Sequence, residues 1–177
     1  MMKKLNLFVL IVLAFSLAMV GGCSKKVSST PAGTSAAATG DGTSGLSPEQ
    51  LEAQRLAELQ RQAIDKIGAD RIYFAFDKSD LSDQSRQILA EKAELLKAHP
   101  ALTLLIEGHC DERGTNEYNM ALGERRARAA YEYLVLMGIE AGRLTIISYG
   151  EEYPAVPGSG EEAWAKNRRD EFKASVN

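Results

Sequence analysis

Residues 108–127, G-H-C-D-E-R-G-T-N-E-Y-N-M-A-L-G-E-R-R-A, bring together an acid and a base that could grip a small charged ligand. Asp111 is offered by a glycine-flanked loop between an extended segment at 102–107 and a helical segment after it, a place where backbone donors and side chains converge. With Asn119 in the first full turn, Leu122, Gly123 and Arg126 follow at three, four and seven residues, so Asn119 and Arg126 share a face. Arg125 and Arg128 point elsewhere. A fixed carboxylate and a fixed guanidinium a few ångströms apart suit a zwitterionic amino acid: the carboxylate takes an ammonium, and the guanidinium fork takes a carboxylate through two hydrogen bonds. The alternative is that Asp111 and Arg126 pair with each other, which as an exposed ion pair stabilises little.

Other chemistries fit less well. His109, Cys110 and Asp111 are the residue types of a base, a nucleophile and an orienting acid, but neighbours on extended chain point to opposite sides, so the chain reads as no enzyme. The quartet His109, Cys110, Asp111 and Glu112 lacks a second ligand pair at helix or finger spacing, so no metal and no cofactor is expected. His109 reads as a structural residue beneath the loop, and His99, before Pro100, as serving a helix C-terminus. Glu112, Arg113, Glu124, Arg125 and Arg128 read as a solvated face, with Glu124 and Arg128 spaced for a helix pair and Arg113 also a candidate ligand contact. Tyr118 and Trp164 suit core packing as well as stacking. The formal net charge of −3 falls to about −5 without Lys3 and Lys4, which with no basic tract or base-stacking platform excludes non-specific nucleic-acid binding.

The elements that must position this chemistry begin far upstream. Lys3 and Lys4 precede an apolar run at 5–20 that ends in V-G-G-C at 20–23. Its sixteen residues fall short of the roughly twenty that span a bilayer, so 1–22 reads as a secretory signal peptide. V-G-G-C resembles the bacterial lipobox, with Val20 where leucine is usual and Gly21 where alanine or serine is commoner. That resemblance implies acylation of Cys23 as the new N-terminus, and Ser24 implies passage to the periplasmic face of the outer membrane. Several acyl chains anchor firmly, at about 0.8 kcal/mol per buried methylene. Lipidation leaves Cys110 as the one other cysteine, so no disulfide framework is expected.

Residues 23–45, rich in Ser, Thr, Gly and Ala, read as a flexible tether. A helical leader is expected over 46–68, with Ser47 as N-cap, Pro48 in the first turn, Gln50 completing a capping box, Leu46 and Leu51 placed for a staple, and a stripe of Leu56, Leu59, Ala63 and Ile67. That stripe suits the domain or a partner helix equally. Residues 69–177 hold enough chain for one core. Strands are expected at 71–77, 102–107 and 144–149, with a weak, frayed or edge strand at 172–176; helices are expected after Ser82, closing before Pro100, and over 117–137. The class is α/β (α+β), a β-α-β-α-β-β two-layer sandwich with helices on a mixed sheet.

Five motifs in order, Y-F-A-F-D at 73–77, G-H-C-D-E-R-G-T at 108–115, Y-N-M-A-L-G-E-R-R-A at 118–127, I-S-Y-G-E at 147–151 and K-N-R-R at 166–169, resemble the OmpA-like peptidoglycan-binding domain family, in its lipid-anchored branch. The resemblance covers 72–169 and implies non-covalent binding of peptidoglycan through meso-diaminopimelate of the stem peptide, tethering outer membrane to cell wall. It places an ammonium on Asp111 and a carboxylate on Arg126, puts Asp77, Thr115, Asn119 and Leu122 in the pocket, and closes it with either Arg168 or Arg169. It also implies a partner at an overlapping surface, the Tol-system periplasmic β-propeller (TolB), with other Tol components, in envelope integrity and cell division. Two departures stand out: Cys110 replaces the family's alanine or threonine with a thiol open to oxidation, and the segment 170–176 is more charged than the family's apolar ending.

Overall fold

A computed structural model describes residues 46–176; the expected signal peptide, Cys23 and the tether lie outside the described residues. The order is α1 (Pro48–Ala69), β1 (Ile72–Tyr73), α2 (Asp83–Ala98), β2 (Leu102–His109), α3 (Asn116–Leu136), a 3₁₀ turn (Ala141–Arg143), β3 (Leu144–Gly150), α4 (Glu161–Asn167) and β4 (Arg169–Val176). The sheet runs β1-β4-β2-β3, with β2 and β3 parallel and the other pairs antiparallel. Helices α1, α2 and α3 pack on one face over a single core that includes Ile67, Leu89, Leu104, Ile106, Ala130 and Phe172. No helix among the described residues is long and apolar enough to cross a membrane.

The caps follow from the residues that stand there. Ser47 Oγ accepts from Gln50 N at 3.2 Å, and Gln50 Oε1 accepts from Ser47 N at 2.8 Å, the reciprocal box that starts α1. Ser82 and Thr115 cap α2 and α3 in the same one-sided way, each accepting a backbone N–H three residues on. The end of α2 is closed by Arg143, which donates to Leu96 O, His99 O and Leu102 O.

The leader helix divides at its middle. Ala63 and Ile67 are buried against the domain, whereas Leu51, Leu56 and Leu59 are exposed. Lys92 of α2, itself buried, donates to Ile67 O at 2.5 Å and lies 4.6 Å above the Phe172 ring, fastening the end of α1.

Three expectations are corrected. The first strand spans two residues rather than 71–77: Phe74 N still donates to Arg168 O in register with the β1–β4 pairs, but the chain then turns, with Lys78 N on Ala75 O and Asp77 at a φ of 55° that no strand accommodates. The last strand starts three residues earlier than expected and pairs with β2 from Leu102↔Val176 to Gly108↔Asp170, so it is not frayed. Its charges are tolerated because Glu171 and Lys173 leave the face away from the helices while Phe172 and Ala174 face the core. Helix α4 was not expected from the sequence.

Candidate functional site

A cavity of about 200 Å³ opens where the loop after β2, the first half of α3, the turn at 74–78 and the start of β4 meet. It is smaller than the roughly 300–1,000 Å³ of sites that enclose a drug-sized ligand, so it suits one amino-acid head rather than a disaccharide. Asp77, Asp111, Arg113, Asn119, Leu122, Arg126 and Arg168, all expected from the sequence, line it.

Asp111 is buried and fully engaged. Arg113 donates from Nε to Oδ1 at 3.0 Å, from Nη2 to Oδ2 at 2.7 Å and from its backbone N to Oδ1 at 3.1 Å, and Arg168 Nη1 donates to Oδ2 at 3.2 Å. Burial works to raise the Asp111 pKa, but these bonds prevail and hold it below the usual carboxylate value. The pairing of Asp111 with Arg126 does not occur; two other arginines take the carboxylate.

Arg126 is almost wholly buried and lines the floor of the cavity. It donates from Nε to Lys78 O at 2.9 Å, from Nη1 to His109 O at 2.9 Å and to Cys110 Sγ at 3.4 Å, and from Nη2 to Ala75 O at 3.3 Å. Four of its five N–H groups are engaged, so the two-bond grip on a carboxylate is corrected to a single N–H on Nη2. Burial lowers its pKa, and it remains the cation of the cavity floor.

Asn119 holds the loop. Its Nδ2 donates toward Asp111 O at 3.3 Å, Arg113 O at 3.2 Å and Glu151 Oε2 at 2.5 Å, tying α3 to the loops after β2 and β3. Asp77 accepts from the Tyr118 hydroxyl. Thr115 is corrected: it lies outside the lining, with its hydroxyl committed to Tyr118 N at the helix cap. Between the two candidate arginines, Arg168 reaches Asp111 and Phe74 O, whereas Arg169 turns to Glu171 Oε1 and Tyr153 O, away from the cavity.

Two aromatic residues complete the mouth, Trp164, for which stacking was one of two readings, and Phe76, which the sequence reading placed in a strand. The Arg113 guanidinium lies 4.0 Å from the Phe76 ring centre and 4.1 Å from that of Trp164, a cation between two aromatic faces. Phe76 passes for an inward strand residue in the alternation Ile72, Phe74, Phe76; the D-K-S-D sequence that follows, rich in turn formers, was the available sign that the strand ends early. Cys110 is buried, burial raises its thiol pKa to about 11, and it donates to Asn119 O at 3.3 Å, so the expected openness to oxidation is overturned.

The OmpA family matches residues 73–168, which contain every cavity residue. A peptidoglycan-associated lipoprotein of Pseudomonas putida is 40% identical over 161 residues, spanning 91% of this chain and 93% of its own. One from Haemophilus influenzae is 43% identical over 159 residues, 90% and 92% of the two chains. The chain belongs to the OmpA family, among its peptidoglycan-associated lipoproteins. The crystal structure of the family member from Burkholderia pseudomallei superposes with a TM-score of 0.58 at 41% identity, covering 59% of this chain and 89% of that one. This family is not one of enzymes, and neither is this chain an enzyme.

Proposed function

We propose that the protein binds peptidoglycan non-covalently, taking meso-diaminopimelate of the stem peptide into the cavity. The observation that carries the reading is a carboxylate and a guanidinium on separate elements, Asp111 on the loop and Arg126 on α3, opening on one amino-acid-sized space. The ligand ammonium docks at Asp111 by displacing Arg113, whose side chain is 29% exposed against 7% for Arg168. The ligand carboxylate meets the free N–H of Arg126. The names of the relatives support the wall as target.

The wider reading follows from the same relationship. With lipid on Cys23, the protein tethers the outer membrane to the wall from the periplasmic side. The exposed Phe76 and Tyr118 at the rim offer a surface for the Tol-system β-propeller, which would then compete with the wall in envelope integrity and cell division.

Calorimetric titration with a diaminopimelate-bearing stem peptide and its lysine-bearing counterpart tests this reading. The first binds and the second binds more weakly. Asp111→Asn loses at least about 1.5 kcal/mol, roughly tenfold, as expected for one side of a shielded charge pair. Equal binding of the two peptides removes diaminopimelate as the determinant, and an unaffected Asp111→Asn variant removes the cavity.

A further inference from the structure

The sheet face turned away from the helices carries a second polar cluster. Glu107 and His109 are two apart on β2 and leave the same face, and the register sets Glu171 of β4 opposite Glu107. One ligand atom from each of the three side chains lies within 4.8 Å of the others. His109 is 3% exposed, and neither ring nitrogen has a hydrogen-bond partner. Buried polar groups are paired nearly without exception, so an imidazole unpaired at both nitrogens beside two carboxylates points to a ligand that takes its lone pair. Burial, helped by the Arg169 charge, lowers its pKa to about 4, which keeps the ring neutral and that lone pair available.

We propose that Glu107, His109 and Glu171 form a site for a divalent transition-metal ion of the zinc class, with solvent in the remaining position. Such donors hold zinc at roughly 2.0–2.2 Å, which sets tetrahedral neighbours about 3.4 Å apart. The present spread of up to 4.8 Å closes by rotation of the two long glutamate side chains. An imidazole with two carboxylates favours this class over calcium or magnesium, which prefer six or more oxygen donors.

The ion competes with cations of the protein itself. Lys173 Nζ is 2.8 Å from Glu107 Oε1, and Arg169 Nε and Arg71 Nε meet Glu171 Oε1 at 2.7 and 3.1 Å. All three contacts fall on Oε1, which leaves the second oxygen of each carboxylate to the metal. The Lys173 and Arg71 side chains are 62% and 46% exposed, so both can turn to solvent as the metal enters.

The full chain, purified in detergent without a histidine tag, is titrated with Co²⁺ as a coloured probe, and Zn²⁺ is then added in competition. One equivalent of Co²⁺ should produce ligand-field bands that Zn²⁺ removes. His109→Gln and Glu171→Gln should each weaken binding at least about tenfold, and Lys173→Gln, which removes a competing ammonium, should tighten it. Glu171 is partly exposed, so its variant decides the matter if His109→Gln unfolds. Binding no tighter than millimolar, or binding unchanged in Glu171→Gln, overturns the site. Wall binding plays no part in this readout.

Discussion

The cavity depends on two residues that have no side chain. A Cβ on Gly108 would lie 2.0 Å from Gly123 O, and one on Gly123 would lie 3.0 Å from Gly108 O and 2.3 Å from Ser148 Oγ of β3, so the backbones of β2 and α3 touch here. This contact lowers α3 onto the strand and brings Asn119, Leu122 and Arg126 to the loop that carries Asp111. Neither backbone can yield as a flexible side chain would, so Gly108→Ala should cost at least about 2–3 kcal/mol in urea unfolding. A variant as stable as wild type would show that strand and helix do not meet at these glycines. The site was legible in the sequence as residue types and helix phase, since Asp111, Asn119, Leu122 and Arg126 lie within one continuous stretch. Its pairing was not. Arg168 reaches Asp111 from 57 residues away, and Phe76 and Trp164 enclose Arg113 from opposite ends of the domain, contacts that only the closed sheet creates.

Among the elements, those with a periodic face and a capping residue were read closely from the sequence, and those without were missed. The reading of α3 held because Gly123, Ala127, Ala130 and Leu134 form one buried stripe. By contrast, α4 starts at Gly160 with no side-chain cap and has only seven residues, too few for a period to show. For α1 the pattern was visible but its destination was not, because the residue that fastens it, Lys92, belongs to another helix. Burial lowers the Lys92 pKa to about 8, against upward pulls from Asp70 and Glu91. Between that value and the ordinary 10.5 the unfolded chain binds a proton that the folded chain has released, so stability should rise with pH across this window; below it both states are protonated and the cost is constant. Urea unfolding of wild type from pH 7 to 10 should show the rise, and Lys92→Met should lose it. Parallel profiles for the two proteins would mean that Lys92 is not the titrating group.

At the scale of the whole molecule, the proposed function asks two attachments of different strength to act together. A cavity of about 200 Å³ that holds one charged head makes a modest contact, and several acyl chains on Cys23 make a durable one. Confinement at a membrane facing the wall raises the effective concentration of the weaker site, so occupancy in the cell can exceed what its free affinity provides. The two contributions separate by mutation. Cys23→Ser should leave stem-peptide affinity unchanged in vitro, move the protein to the soluble periplasmic fraction, and reduce the amount crosslinked to sacculi in cells. Asp111→Asn should keep the protein with membranes while lowering both the affinity and the crosslinking. If Cys23→Ser still fractionates with membranes, the apolar run at 5–20 is an uncleaved anchor; if its crosslinking equals that of wild type, confinement contributes nothing and the cavity alone holds the wall.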